Sequence, residues 1–248
     1  MGSRAAPARP LVSFGLLILF PITRITRNTQ ITQNTPSTPK TLKNMEQDPY
    51  LGRYYVGRRY LRECRLYRVL DIYMPPGYGV HYRCDTLEYS GDNVVGIEHH
   101  LIDSKEAGDI FKQEISDVQY QRGIDLFYKS LLHIRQHIIS LKGIPCDHIQ
   151  AGKAYRLFDQ LYFNVNQNPK DGHTESQYLE VFPSEVAVRR ASIPSSLVET
   201  NLIYYEEIDP TDAQKAVKQF ELLYATVRNY INSLVQEEPA IPDFRPNQ

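Results

Sequence analysis

RLYRVLDIYMPPGYGVHYRCDT, residues 65–86, alternates apolar and polar side chains on both sides of a Pro/Gly-rich turn. Leu66, Leu70, Ile72 and Met74 fall on one face of a strand. Pro75-Pro76-Gly77-Tyr78-Gly79 turns the chain, and Val80, Tyr82, Cys84 and Thr86 continue on the return strand. A hairpin centred on Gly77 sets Met74 opposite Val80, Ile72 opposite Tyr82 and Leu70 opposite Cys84, so the apolar faces coincide. Register matters here, because a slip of one residue turns every side chain of a strand to the other face.

Working outward, Ser90-Gly91-Asp92-Asn93 forms a second turn into a strand at 94–103 that places Val95, Ile97, His99 and Leu101 on the core face. Residues 53–61 read as an edge strand on the other side. Further along, Tyr120, Ile124, Phe127, Leu131, Ile134, Ile138 and Leu141 repeat in a four-then-three spacing, as do Ala213, Val217, Phe220, Tyr224, Val227, Ile231 and Leu234. That spacing predicts two long helices, the first from Ser116-Asp117 to Lys142-Gly143 and the second from Asp209-Pro210 onward. Ala154, Phe158, Leu161 and Val165 suggest a shorter helix, while 178–188 and 202–208 have the alternation of strands. The expected class is α+β: an antiparallel β-meander of three to four strands packed against long amphipathic α-helices, with additional later strands.

The length of 248 residues, with 42% hydrophobic and 23% charged side chains, suits one ordinary domain, expected over 45–238. Residues 1–44 read as a disordered or misassigned extension, with threonine at every third position from Thr23 to Thr41 and Met45 as the expected initiator. Residues 239–248 form a Pro-rich tail. The apolar run Leu11–Pro21 is too short to span a bilayer, which needs about 20 apolar residues. The expected compartment is cytoplasmic, or exported or organellar if 1–44 is a targeting segment. Three cysteines, Cys64, Cys84 and Cys146, share no metal-finger spacing and read as reduced thiols.

Three functions compete. Helix seams and eighteen tyrosines favour a non-catalytic binding or assembly module, with a protein partner or self-association and no cofactor. A metal-assisted hydrolase or nuclease is the alternative. The expected register sets Asp71 opposite Arg83, Asp85 opposite Glu98 and His100 opposite Arg83. Carboxylates beside imidazole and guanidinium suit a divalent metal or a division of acid and base roles. His133 and His137, four apart on the first helix, are a second pair with metal-ligand spacing. The third reading is a single-stranded nucleic-acid binder using Arg53, Arg58, Arg59, Tyr60 and Arg62, cation for phosphate and ring for base. Against it, residues 1–45 carry six basic groups and no acid, so the body is acidic under a total charge of −1.

Overall fold

The computed structural model describes residues 48–59, 63–91, 93–168 and 171–235. The expected extension 1–44 and tail 239–248 lie outside the described residues, as do Tyr60 and Arg62. In chain order the elements are β1 (Tyr54–Arg59), β2 (Glu63–Tyr73), β3 (His81–Ser90), β4 (Val94–Asp103), α1 (Ser104–Ile110), β5 (Gln113–Ile115) and α2 (Asp117–Ser140). There follow β6 (Ile144–Pro145), β7 (Ala154–Leu157), β8 (Gln160–Asn168), β9 (His173–Phe182), β10 (Glu185–Pro194), α3 (Ser195–Thr200), β11 (Tyr205–Ile208) and α4 (Pro210–Leu234).

Among the described residues, eleven strands join one antiparallel sheet in the order β5-β1-β2-β3-β4-β10-β9-β8-β7-β11-β6. This overturns the expected meander of three to four strands under long helices: the sheet dominates, and the later strands more than double it. The segment expected as a short helix around Ala154–Val165 is instead β7 and β8, joined by the two-residue turn Phe158-Asp159. The stretch 178–188, expected as one strand, folds back at Pro183-Ser184 to give β9 and β10.

The strand order is a palindrome of two similar halves. β1-β2-β3-β4-α1-β5-α2 in the first is matched by β7-β8-β9-β10-α3-β11-α4 in the second, and the short final strand pairs with the first strand of its own half in both. The halves meet where β4 runs antiparallel to β10, with Val95 opposite Val186 at the midpoint of the three paired rungs. Local details repeat as well. Gly52 and Gly152 both have positive φ, 73° and 78°, and each donates its N–H to the neighbouring long strand, at Val69 and Val165. Arg53 pairs with Glu114 at 2.9 Å, and Lys153 with Glu207 at 2.6 Å.

Both faces of the sheet are covered in part, so burial does not follow a simple alternation. Leu66, Leu87, Val95, Leu161, Leu179 and Val186 point to the face carrying α2 and α4, whose seams bury Phe127, Ile134, Ile138, Phe220, Val227 and Ile231. The two long helices also contact each other, and α4 reaches across to the first half: Tyr89 donates to Asn232 at 3.1 Å. Ser116 and Gln119 form a capping box at the start of α2, while Asp209 caps α4 ahead of Pro210. On the opposite face α1 covers Tyr55, Tyr67, Val69, Tyr82, Cys84 and Ile102. Gly57 permits that approach, since a Cβ there would overlap the Ile110 carbonyl oxygen. Among the described residues no helix is long and apolar enough to cross a membrane.

Two register details differ from the sequence expectation. Ile72 does lie opposite Tyr82, but a bulge at Leu70 brings Val69, not Leu70, opposite Cys84. The bulge sends Ile72 to the α1 face, away from Leu66. On the other side Ser90 pairs with Val94 across a three-residue loop, which shifts β4 by one residue from the expected alignment and reverses its faces relative to β3.

Candidate functional site

Beyond the reach of α1, the face that it covers turns polar across the middle of the sheet. Arg65 on β2, Thr86 and Glu88 on β3, Gly96, Glu98 and His100 on β4, Glu185, Ala187 and Arg189 on β10, Glu180 on β9 and Gln160 on β8 share this face by register. Glu88 lies opposite Gly96, which lies opposite Glu185, so the row crosses the boundary between the halves. Glu88, Glu180 and Glu185 are buried, which is rare for carboxylates unless they are paired.

Each half solves that burial differently. In the first, Oε2 of Glu88 accepts from Arg65 Nη1 at 3.0 Å and lies 3.1 Å from His100 Nε2, which is 3.9 Å from Glu98 Oε2. In the second, Arg189 bridges Glu180, at 3.0 Å, and Glu185. Gln160 donates to the other oxygen of Glu180 at 2.8 Å and accepts from the Tyr162 hydroxyl at 2.9 Å. Burial works against the charge of Arg189, but its two glutamates outweigh it and raise the guanidinium above its ordinary value. Burial also raises the Tyr162 phenol, which stays a neutral donor, and with Asp85 and Asp71 pushes the Cys84 thiol up to about 12. Cys84, fully buried, packs in the cluster under α1 with its thiol held protonated.

Of the five residues expected together, the structure brings only Glu98 and His100 to this face. Asp71 and Arg83 pair at 3.4 Å on the opposite face, half exposed, and Asp85 sits there with His99 at 2.6 Å. The one-residue shift of β4 is the cause: it sends His99 out to solvent and turns His100 inward beside Cys84. His133 and His137 lie along α2, and among the described residues no third metal-ligating side chain joins them. His133 faces Gln219 of α4 at 3.4 Å, and Nε2 of His137 is buried without a partner. Among the described residues, the one group of three metal-ligating side chains is Glu88, Glu98 and His100, whose ligand atoms all lie within 4.8 Å of one another.

The described residues of the Arg/Tyr stretch form no single face. Tyr55 and Tyr67 are buried under α1, Arg53 is paired with Glu114, and Nε of Arg58 donates to Cys64 Sγ at 3.2 Å. Arg59 ends β1. The central glutamates escaped sequence reasoning although they share a signature. Leu87-Glu88-Tyr89 and Leu179-Glu180-Val181 each put one carboxylate inside an apolar strand, at matching places in the two halves. No protein family, curated protein or solved structure matches the chain.

Proposed function

We propose that the protein is a non-catalytic binding module whose contact surface is the tip of the second half, formed by Phe158, Ile203 and Tyr204, and whose partner is a protein presenting apolar side chains. The helix seams no longer motivate this reading, since both are spent inside the molecule. Its support is Phe158. This residue stands in the β7–β8 turn with φ 57°, a conformation that favours glycine, yet its ring is 67% exposed and leans on Tyr204 with centroids 6.1 Å apart. Such strain in a non-glycine residue costs on the order of 1–3 kcal/mol, and folding gains little from a ring left in water.

Ile203, next to Tyr204 in the chain, is 82% exposed. The two ends of the sheet are poor alternatives for assembly, because β5 has three residues and β6 two, too short to template another strand. A photo-crosslinking phenylalanine analogue at position 158 tests the reading. It should trap one discrete protein adduct, at twice the chain mass for self-association or at another defined mass for a different protein. The same analogue at Tyr78, 76% exposed at the β2–β3 turn, should trap none. Equal, diffuse labelling from both positions would dismiss the tip as a contact surface.

A further inference from the structure

We infer that Glu88, Glu98 and His100 form a binding site for a first-row divalent cation such as Zn²⁺ or Mn²⁺. Their donor atoms are already gathered: 3.1 Å from His100 Nε2 to Glu88, 3.9 Å to Glu98, and no pair beyond 4.8 Å. Tetrahedral ligands held about 2.0–2.2 Å from one ion stand roughly 3.3–3.6 Å apart, so small side-chain shifts close the three around it. One imidazole with two carboxylates suits zinc, manganese or iron better than calcium, which prefers an all-oxygen shell.

A second observation points to a ligand. Thr86 is fully buried on the same face, opposite Glu98 and next in line to Glu88, and its hydroxyl has no hydrogen-bond partner. A buried hydroxyl left so costs about 1–3 kcal/mol, and a bound ion or its water supplies the missing partner.

The second half shows what the first is built to receive. Glu180 occupies the position of Glu88, and the β10 position matching Glu98 holds Arg189, whose guanidinium neutralises two carboxylates. Where the second half carries its own cation, the first carries two more donors, Glu98 and His100. Arg65 is the group that opposes an ion, since it contacts the same oxygen of Glu88 as His100 does. Gln160 stands at the matching place in β8.

Calorimetric titration of ZnCl₂ and of MnCl₂ into the full chain near neutral pH tests the site. The wild type should bind one ion saturably. His100→Ala and Glu98→Gln should each weaken binding at least about tenfold, whereas Arg65→Gln should tighten it severalfold. Glu98 is 37% exposed, so Glu98→Gln keeps the test valid even if His100→Ala disturbs folding, with circular dichroism as the check. The double variant His133→Ala, His137→Ala should bind as the wild type does. Absence of saturable binding overturns the inference, and so does binding that survives Glu98→Gln but vanishes with the helix histidines.

Discussion

The two halves of the sheet share an outline and differ in what they do with it. Under α1 the first half is closed by rings: Phe111 stacks on Tyr55 at 4.9 Å and meets Tyr67 and Tyr82, while Tyr50 covers them from outside. Under α3, Tyr205 plays the part of Phe111 against Tyr155 and Tyr162. The connection from α3 to β11 is two residues longer than that from α1 to β5, however, and the extra length carries Ile203 and Tyr204 into solvent. The charged centres differ as well, with an arginine bridge in the second half and a histidine between glutamates in the first. Equivalent backbones thus carry different side chains, a partly buried cluster of donor atoms in the first half and an exposed apolar tip in the second.

The largest test of this comparison is whether the halves stand or fall together. Phe127 and Phe220 occupy matching places on α2 and α4, both fully buried. Truncating either to alanine should cost about 3–5 kcal/mol. Because α2 and α4 touch each other and α4 also lies on β2, β3 and β4, both variants should unfold in a single shifted transition in urea. Two separate transitions in either variant would show the halves to be independent units.

Next in size is the difference between the charged centres. Arg189→Met strips the bridging cation from Glu180 and Glu185. Breaking a buried pair from one side costs about 3–5 kcal/mol, and because the Arg189 side chain is 39% exposed, about 2–3 kcal/mol is expected at neutral pH. Arg65→Met should cost less, since His100 remains beside Glu88. Equal losses in denaturant titrations would mean that the two centres are solved alike.

Some of this was legible in the chain. The starts of both long helices follow from Ser116-Asp117 and Asp209-Pro210, caps whose chemistry is local, and the Ile72/Tyr82 rung follows from the Pro/Gly turn beside it. What was lost depended on counting across turns. One extra residue between Ser90 and Val94 was enough to send Asp85 and Glu98 to opposite faces. Ala154, Phe158, Leu161 and Val165 mimic a helical period because the turn between β7 and β8 holds a phenylalanine where turn chemistry calls for glycine. The duplication is hidden for a similar reason. Tyr55 matches Tyr155 one hundred residues on, Leu66 matches Leu161 at ninety-five, Glu88 matches Glu180 at ninety-two, and the seam from Tyr120 to Leu141 matches that from Ala213 to Leu234 at a constant ninety-three. Loops of unequal length make the offset drift, so no single period shows both halves of the sheet.

A smaller effect sharpens the contrast at the tip, and its sign is opposite to most substitutions. Phe158→Gly places the residue that tolerates φ 57° at that position and should raise stability by about 1 kcal/mol, seen as a higher melting temperature, while abolishing the crosslinked adduct's natural counterpart in a sedimentation assay. Asn164→Gly, at φ 49°, should gain less, because asparagine already accepts the left-handed region. A loss of stability in Phe158→Gly would mean that the ring supports the fold and is no dedicated contact.

The smallest contrast is between the two helix caps, and pH separates them. Ser116 caps α2 with a hydroxyl, accepting from Gln119 N at 3.2 Å, whereas Asp209 caps α4 with a carboxylate, accepting from Thr211 N at 2.7 Å. Ser116→Ala should cost about 1 kcal/mol at any pH where the protein is folded, since no charge is involved. The Asp209 carboxyl is held below its ordinary value by the Thr211 backbone N–H and then by the Thr211 hydroxyl, with Lys215 adding a lesser pull. A depressed carboxyl contributes stability that is complete above its unfolded value and disappears as pH falls through the folded one. The melting-temperature gap between wild type and Asp209→Ala should therefore narrow on acidification through the carboxylate range, while the gap for Ser116→Ala holds. If both gaps narrowed in parallel, acid would be acting on something the two helices share, and the caps would not distinguish the halves.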